Sequence, residues 1–234
     1  MSNDDEVVIV TAHYKEDLRW LVKSPYKVFV CGKIGAVPID KAIKKRFNYE
    51  PLIYNIGFEA SSYLHYIIQH YNDLPPYIAF IHGHASAWHQ RHPLGILGAI
   101  RTAKRKEFGY ISLNVKTHPD DGVYDLLGRH KSTVANIILR QHWDNVFKPY
   151  LEMDLPNYLC HDSCAQFIVS RDVVLRHPPE AYHKWFDFAN TRSTIEYPNK
   201  AYAVALEFIW HVIFGEQPVC PQRNEAYLRD RFTI

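Results

Sequence analysis

The chain has 234 residues, enough to bury one substantial core with room for a subdomain. Hydrophobic residues make up 47% and charged residues 22%, which excludes a disordered or fibrous chain. The formal net charge of +2 argues for no nucleic-acid partner, and the basic runs at 41–46 and 104–106 read as solvated helix faces.

The first six residues are polar and acidic and run straight into an apolar strand, with neither the basic start nor the apolar stretch of a secretory signal. No apolar run approaches the roughly 20 residues that a transmembrane helix needs, so a cytoplasmic protein without a transmembrane segment is expected. Cys31, Cys160, Cys164 and Cys220 are scattered without a C-x-x-C pair and read as reduced thiols.

Residues 6–11 (EVVIVT) are a short apolar run rich in β-branched side chains, the pattern of a buried parallel strand. The polar stretch from His13 to Asp17 leads to an apolar-periodic segment at 18–22. A second strand, 26–31 (YKVFVC), closes at Gly32, and 51–55 (PLIYN) reads as a third. Over 58–71, Tyr63, Leu64, Ile67, Ile68 and Tyr71 have the spacing of one buried helical stripe, which Asn72-Asp73-Leu74-Pro75-Pro76 stops. The run 77–81 (YIAFI) is a fourth strand and ends abruptly in His82-Gly83-His84. Helices are expected over 94–104, 134–151, 179–189 and 200–214, with strands at 110–113 and 166–170 and an irregular tail from Gly215. Strands alternating with helices define an α/β class, a mostly parallel mixed sheet covered on both faces, in one domain.

Ligands of open α/β sheets bind beyond the carboxyl ends of the strands. That rule singles out His13 to Asp17, Cys31 to Lys33, Asn55 to Glu59, and His82 to Gln90. At Asn55-Ile56-Gly57-Phe58-Glu59 a strand turns into a helix, and N–H groups at a helix start attract anions such as phosphate. A plain N-cap with a glycine turn is the structural alternative there.

The stretch from Asn55 through His84 resembles the centre of GT-A glycosyltransferases. In those enzymes an Asn-x-Gly turn opens a helix, and the following strand ends in an Asp-x-Asp that holds a metal and the donor diphosphate. The opening VVIVTAHYKED is similar to the first strand and uracil-contacting loop of that fold, and CAQFIVSRDVVLRHPPEAYHKWFDF to its acceptor-side strand and helix. ALEFIWHVIFG falls where such enzymes carry an acidic residue that serves as base. As a set, YNIGFEASSYLHYIIQHYNDLPPYIAFIHGHASAWHQ with AQFIVSRD and EFIWHVIFG is similar to a domain family of unknown function from fungi, plants and large algal viruses.

This resemblance implies a GT-A-like (Rossmann-like) fold, a nucleotide-sugar donor, UDP-sugar foremost, and a glycan or glycoprotein acceptor. On this chain it implies donor contacts from His13, Tyr14, Glu16, Asn55, Gly57, Glu59, His82, His84 and Arg171, and acceptor contacts from Trp88, His89 and His211. Where those transferases have Asp-x-Asp, this chain has His82-Gly83-His84. Imidazoles on alternate residues of an extended segment point the same way and can share a metal. Histidine tolerates Mn²⁺ or Zn²⁺ but suits Mg²⁺ poorly, so Mn²⁺ is the candidate cofactor. The pair can equally donate to the diphosphate with no metal present, or serve packing alone.

Inverting transfer needs a carboxylate to take the acceptor proton and positive charge at the leaving diphosphate. Glu207, within the otherwise almost wholly apolar LEFIWHVIF, is the first candidate base, because a buried carboxylate needs a partner or a role. Asp162, in Cys160-His161-Asp162-Ser163-Cys164, is the second. Two other functions stay open. One is a metal-dependent hydrolase built on His82, His84 and His89 with Asp162 or His211, and the other is a non-catalytic carbohydrate-binding module.

Overall fold

The computed structural model describes residues 6–51, 54–86, 92–114, 123–125, 133–160, 165–192, 200–219 and 225–233. β1 (Val7–His13) is buried along nearly its whole length because both of its faces are covered. It pairs in parallel with β2 (Lys27–Gly32) on one side and β4 (Tyr77–Ile81) on the other, with His13 opposite Gly32 and Thr11 opposite Ile81. β3 (Asn48–Pro51) lies parallel beyond β2, while β8 (Phe167–Ser170) and β5 (Tyr110–Ser112) extend the other side antiparallel. Among the described residues these six strands form one sheet, ordered β3-β2-β1-β4-β8-β5. β6 (Val123–Asp125) pairs antiparallel with β7 (Tyr158–Cys160) apart from it.

Period-two alternation sends the strand side chains into two cores. Val10, Phe29, Cys31, Ile78 and Phe80 face α2 (Phe58–His70), α4 (Val134–His142), α7 (Pro179–Ala189) and α8 (Ala201–Ile213). Val7, Ile9, Val28, Val30 and Ile81 face the 3-10 turn Leu18–Lys23, α3 (Gly95–Thr102) and α9 (Glu225–Arg231). The helical stripe of α2 sinks Tyr63, Leu64 and Ile67 completely. No helix among the described residues is long and apolar enough to cross a membrane.

Several sequence expectations shift. The third strand runs over Asn48–Pro51, earlier than 51–55, and Asn55 sits in a bend. Its Tyr49 lies over Gly32, where a Cβ would meet the Tyr49 hydroxyl, so the ring claims that place in the pairing. The helix expected over 134–151 is interrupted by one π-helical turn, Trp143–Phe147, before α5 (Lys148–Leu151). Pro149 is the physical cause: it has no N–H for the carbonyl one turn back, and its ring crowds that carbonyl. In the described part of the tail, α9 is a regular helix that docks on the sheet through Tyr227, whose hydroxyl accepts from the Ser112 N–H at 3.1 Å. Residues 104–106 form a turn, not a helix face; Arg105 is buried and donates to the Ile100 carbonyl at 3.3 Å. Two short helices, α1 (Lys41–Lys44) and α6 (Arg171–Val174), complete the described elements. Cys31 is a buried free thiol, and the side chains of the other three cysteines lie outside the described residues.

Candidate functional site

β2 and β3 lie on one side of β1 and β4 on the other, so the chain reverses its direction of winding between β1 and β4. A crevice at the carboxyl ends of these strands is where an open α/β sheet takes its ligand. The strand ends bring His13, Lys33 and His82 to this edge, on loops whose geometry the neighbouring backbone fixes.

His13 is fully buried, and its Nδ1 shares a hydrogen bond with the Tyr49 hydroxyl at 3.2 Å, while its Nε2 is buried with no partner. Burial pulls its pKa down, more than the nearby Glu16 carboxylate pulls it up, so the ring is neutral near pH 7. The loops after β1 and β2 are stitched together by backbone bonds from Lys33 N–H to the His13 carbonyl (2.9 Å) and from Val37 N–H to the Tyr14 carbonyl (2.8 Å). The Tyr14 ring packs against Gly35, whose φ of +81° suits glycine.

Lys33 continues the parity of Phe29 and Cys31 and therefore points into the core on the α2 side. Its buried ammonium donates to the Ser61 hydroxyl in the first turn of α2. Burial lowers its pKa to about 8, with Cys31 and Glu59 opposing, so it remains a cation at pH 7. Glu59, also in that first turn, is pushed up by burial and by Glu16 while Lys33 and His84 pull it down. Lys33, Glu59, Glu16 and His84 thus form one electrostatic cluster. Sequence reasoning placed Lys33 in an edge segment but gave it no role.

His82-Gly83-His84 leaves β4 in a fixed conformation. The His82 N–H donates to the Gln166 side chain at 3.2 Å, and Gln166 in turn donates to Asn114 at 3.1 Å. Gly83 has no room for a side chain, because a Cβ there would lie 2.8 Å from Glu16 carbons and 2.9 Å from the Ala12 carbonyl oxygen. Trp20 donates to the Gly83 carbonyl at 2.8 Å and locks the loop against β1. His82 Nδ1 and His84 Nε2 come within 3.2 Å of each other. Two imidazole nitrogens bound to one metal at about 2.1 Å each can have such a separation. Among the described residues, however, no group of three or more His, Cys, Asp or Glu side chains could hold an ion. The described residues therefore do not fit a Mn²⁺ site, and the chemistry below uses the side chains alone.

Other expected residues have different placements. The Glu16 carboxylate accepts from its own loop, from the N–H groups of Tyr14 (2.5 Å) and Lys15 (3.0 Å), and so braces the loop as well as charging the edge. Gly57 has φ +74°, and a Cβ there would lie 2.8 Å from the Ala189 carbonyl oxygen, so the Asn55-x-Gly57 turn docks against the end of α7. Asn55 is half-buried in that turn. No side chain caps the start of α2.

Glu207 is half-buried on α8, which packs against α2. After burial, the charges of Glu59 and Glu207 push the Tyr63 phenol further up, which puts both carboxylates around one ring. The Tyr63 hydroxyl donates to the Ala165 carbonyl at 2.9 Å, beside Gln166 and hence at the same sheet edge as His82.

Arg171 is not at this edge. β8 runs antiparallel to β4, so the residue after β8 lies at the start of β4, where the Arg171 N–H donates to the Pro76 carbonyl at 2.9 Å. His211 is also removed from the site. It is buried, its Nε2 sits 3.2 Å from the Pro218 carbonyl, and α8 ends against His177 on the far side, so His211 ties down the segment after the helix. Trp88, His89 and Asp162 lie outside the described residues.

Two clefts flank the loop after β2. One, of about 390 Å³, opens beside His13 between apolar Leu18, Val37 and Ile39 and polar Glu16 and Asp40. The other, of about 440 Å³, lies on the outer side of the loop against Lys41, Lys44 and Tyr49.

A winding reversal at β1/β4 defines a Rossmann-like α/β domain, and His13, Lys33 and His82 stand at the carboxyl edge where such a sheet offers a candidate ligand site. The chain belongs to the family described as Protein of unknown function (DUF3431), whose model matches residues 8–229. No curated protein matches the chain, and no solved structure does.

Proposed function

We propose that this protein is a glycosyltransferase that moves a sugar from a nucleotide-sugar donor, foremost a UDP-sugar, to a hydroxyl of a glycan or glycoprotein with inversion. The observation that carries the reading is the buried Lys33 ammonium at the carboxyl edge of the sheet, on the same edge as the His82–His84 pair. A fixed cation and two imidazole donors at a winding reversal suit a diphosphate, because preorganised positive charge is worth most where the leaving group becomes more negative.

In this reading the nucleoside half lies in the cleft beside His13, and the diphosphate meets His82 and His84, with the buried Lys33 charge acting on it from beneath the edge. The acceptor oxygen attacks the anomeric carbon from the face opposite the diphosphate. The new C–O bond forms as the anomeric C–O bond breaks, and the electron pair leaves on the nucleoside diphosphate. Glu207 takes the acceptor proton. Trp88 and His89 carry the acceptor contacts in the same proposal.

The test is release of nucleoside diphosphate from UDP- and GDP-sugars in the presence of sugar acceptors, with Glu207→Gln beside the wild type. The reading expects turnover with one donor class, and a Glu207→Gln variant that still binds donor but does not turn it over. No release above the uncatalysed rate with any donor sinks the reading, whereas normal turnover by Glu207→Gln removes only the base assignment.

A further inference from the structure

We propose that residues 34–46 dock the protein on an anionic phospholipid surface. Ile34 to Ile39 reads IGAVPI, six apolar residues in a row immediately after the β2 loop begins, with Ile34 56% and Val37 43% exposed. Ile34, Val37 and Pro38 are exposed, while Ala36 is half-buried and Ile39 packs against the core, so the loop presents a short apolar tip of a kind disfavoured on a surface that meets only water.

Four exposed cations follow at once: Lys41 and Lys44 on one face of α1, then Lys45 and Arg46. The only acid in the stretch, Asp40, is spent on capping α1 by accepting from the Ala42 N–H at 2.7 Å. Residues 34–46 therefore carry four positive charges and one negative, a larger excess than the +2 of the whole chain. The neighbouring acids are engaged too, Glu16 with the amides of its own loop and Asp17 with Arg19.

Apolar and cationic groups face the same way, since Lys41, Lys44, Ile34 and Val37 line one cleft. Lys44 is held there with its ammonium 4.3 Å from the centre of the Tyr49 ring. An apolar loop at the headgroup boundary and cations above anionic lipid reinforce each other, where either alone gives marginal attachment. The patch adjoins the ligand edge, so docking would turn that edge toward membrane-held molecules. The inference rests on this juxtaposition and stands independently of the transferase reading.

The experiment is co-sedimentation of the full chain with vesicles of phosphatidylcholine alone and of equal parts phosphatidylcholine and phosphatidylserine. The protein should pellet with the mixed vesicles only, and be released in about 1 M salt, where screening acts within ~3 Å. Removing each cation should weaken partitioning about fivefold, so the combined variant Lys41→Glu, Lys44→Glu, Lys45→Glu, Arg46→Glu should lose on the order of several hundredfold, which abolishes pelleting. Ile34→Ser with Val37→Ser should also lose several-fold, and unchanged melting of both variants excludes misfolding. Absence of pelleting with mixed vesicles overturns the proposal, as does equal pelleting with phosphatidylcholine alone or full retention by the charge-reversed variant. Loss with the charge variant but none with the loop variant also overturns it, in favour of a soluble polyanion.

Discussion

The buried ammonium of Lys33 donates to the hydroxyl of Ser61 and fixes a positive charge between the end of β2 and the first turn of α2. Ser61 can accept because its own hydrogen is shared between the carbonyls of Ile56 (3.0 Å) and Phe58 (2.9 Å). A lysine held in this way has measurable consequences for stability.

Burial lowers the Lys33 pKa from 10.5 to about 8. Between those values the unfolded chain binds the proton and the folded chain does not, so this group makes stability rise with pH across that window. Below about 8 the charge opposes folding by about 3 kcal/mol relative to a neutral group. Lys33→Met should therefore be more stable relative to wild type at pH 7 than at pH 10, measured as urea midpoints. A difference that does not change with pH contradicts the burial of the charge.

Burial also lowers the pKa of His13, His65, His92, His142 and His177. Below pH 6.5 the unfolded chain takes up protons at these positions before the folded chain does, so stability falls as pH drops through that value toward the folded pKa of each ring. Glu59, whose pKa is raised by burial, opposes this but is one group against five. Urea midpoints should decline between pH 7.5 and 5.5, and a flat profile would show that the imidazoles are solvated.

Gly57 and Gly95 have φ values of +74° and +66°. Alanine at either position carries the left-handed backbone penalty of about 1 kcal/mol. Only at Gly57 does the new Cβ also press on a backbone oxygen, that of Ala189 at 2.8 Å; at Gly95 nothing lies within 4 Å. Gly57→Ala should thus cost about 1–3 kcal/mol more than Gly95→Ala in chemical denaturation. Equal costs would mean that the turn before α2 does not dock on α7.

Tyr63→Phe removes the donor that holds the Ala165 carbonyl at 2.9 Å. A buried carbonyl left unpaired costs about 1–3 kcal/mol. A loss well under that range in urea midpoints would show that water reaches the carbonyl.

The strands beside β1 were legible because strands covered on both faces must read as unbroken apolar runs, and α2, α7 and α8 because Pro, Gly and turn residues bound their stripes. Strand direction was not legible. β8 reads like a parallel strand, and its antiparallel pairing is what carries Arg171 to the wrong edge. His211 shares a helical face with Glu207, one turn on, but spacing along a helix does not say which end of the sheet it approaches. Lys33 was within reach. It follows Phe29 and Cys31 at alternate positions, and that parity alone predicts a side chain aimed at the same core. Its partner Ser61 is 28 positions away in sequence, so only the folded chain reveals the bond.

Calorimetric titration of UDP- and GDP-sugars into the wild type, Lys33→Met, and His82→Ala with His84→Ala asks most directly whether this edge holds a sugar diphosphate. The wild type should bind one donor class, more weakly as pH is raised past about 8 and Lys33 loses its proton, and both variants should lose at least about tenfold, the worth of one charge-assisted hydrogen bond. No heat with any donor, or wild-type affinity in both variants, would contradict the account.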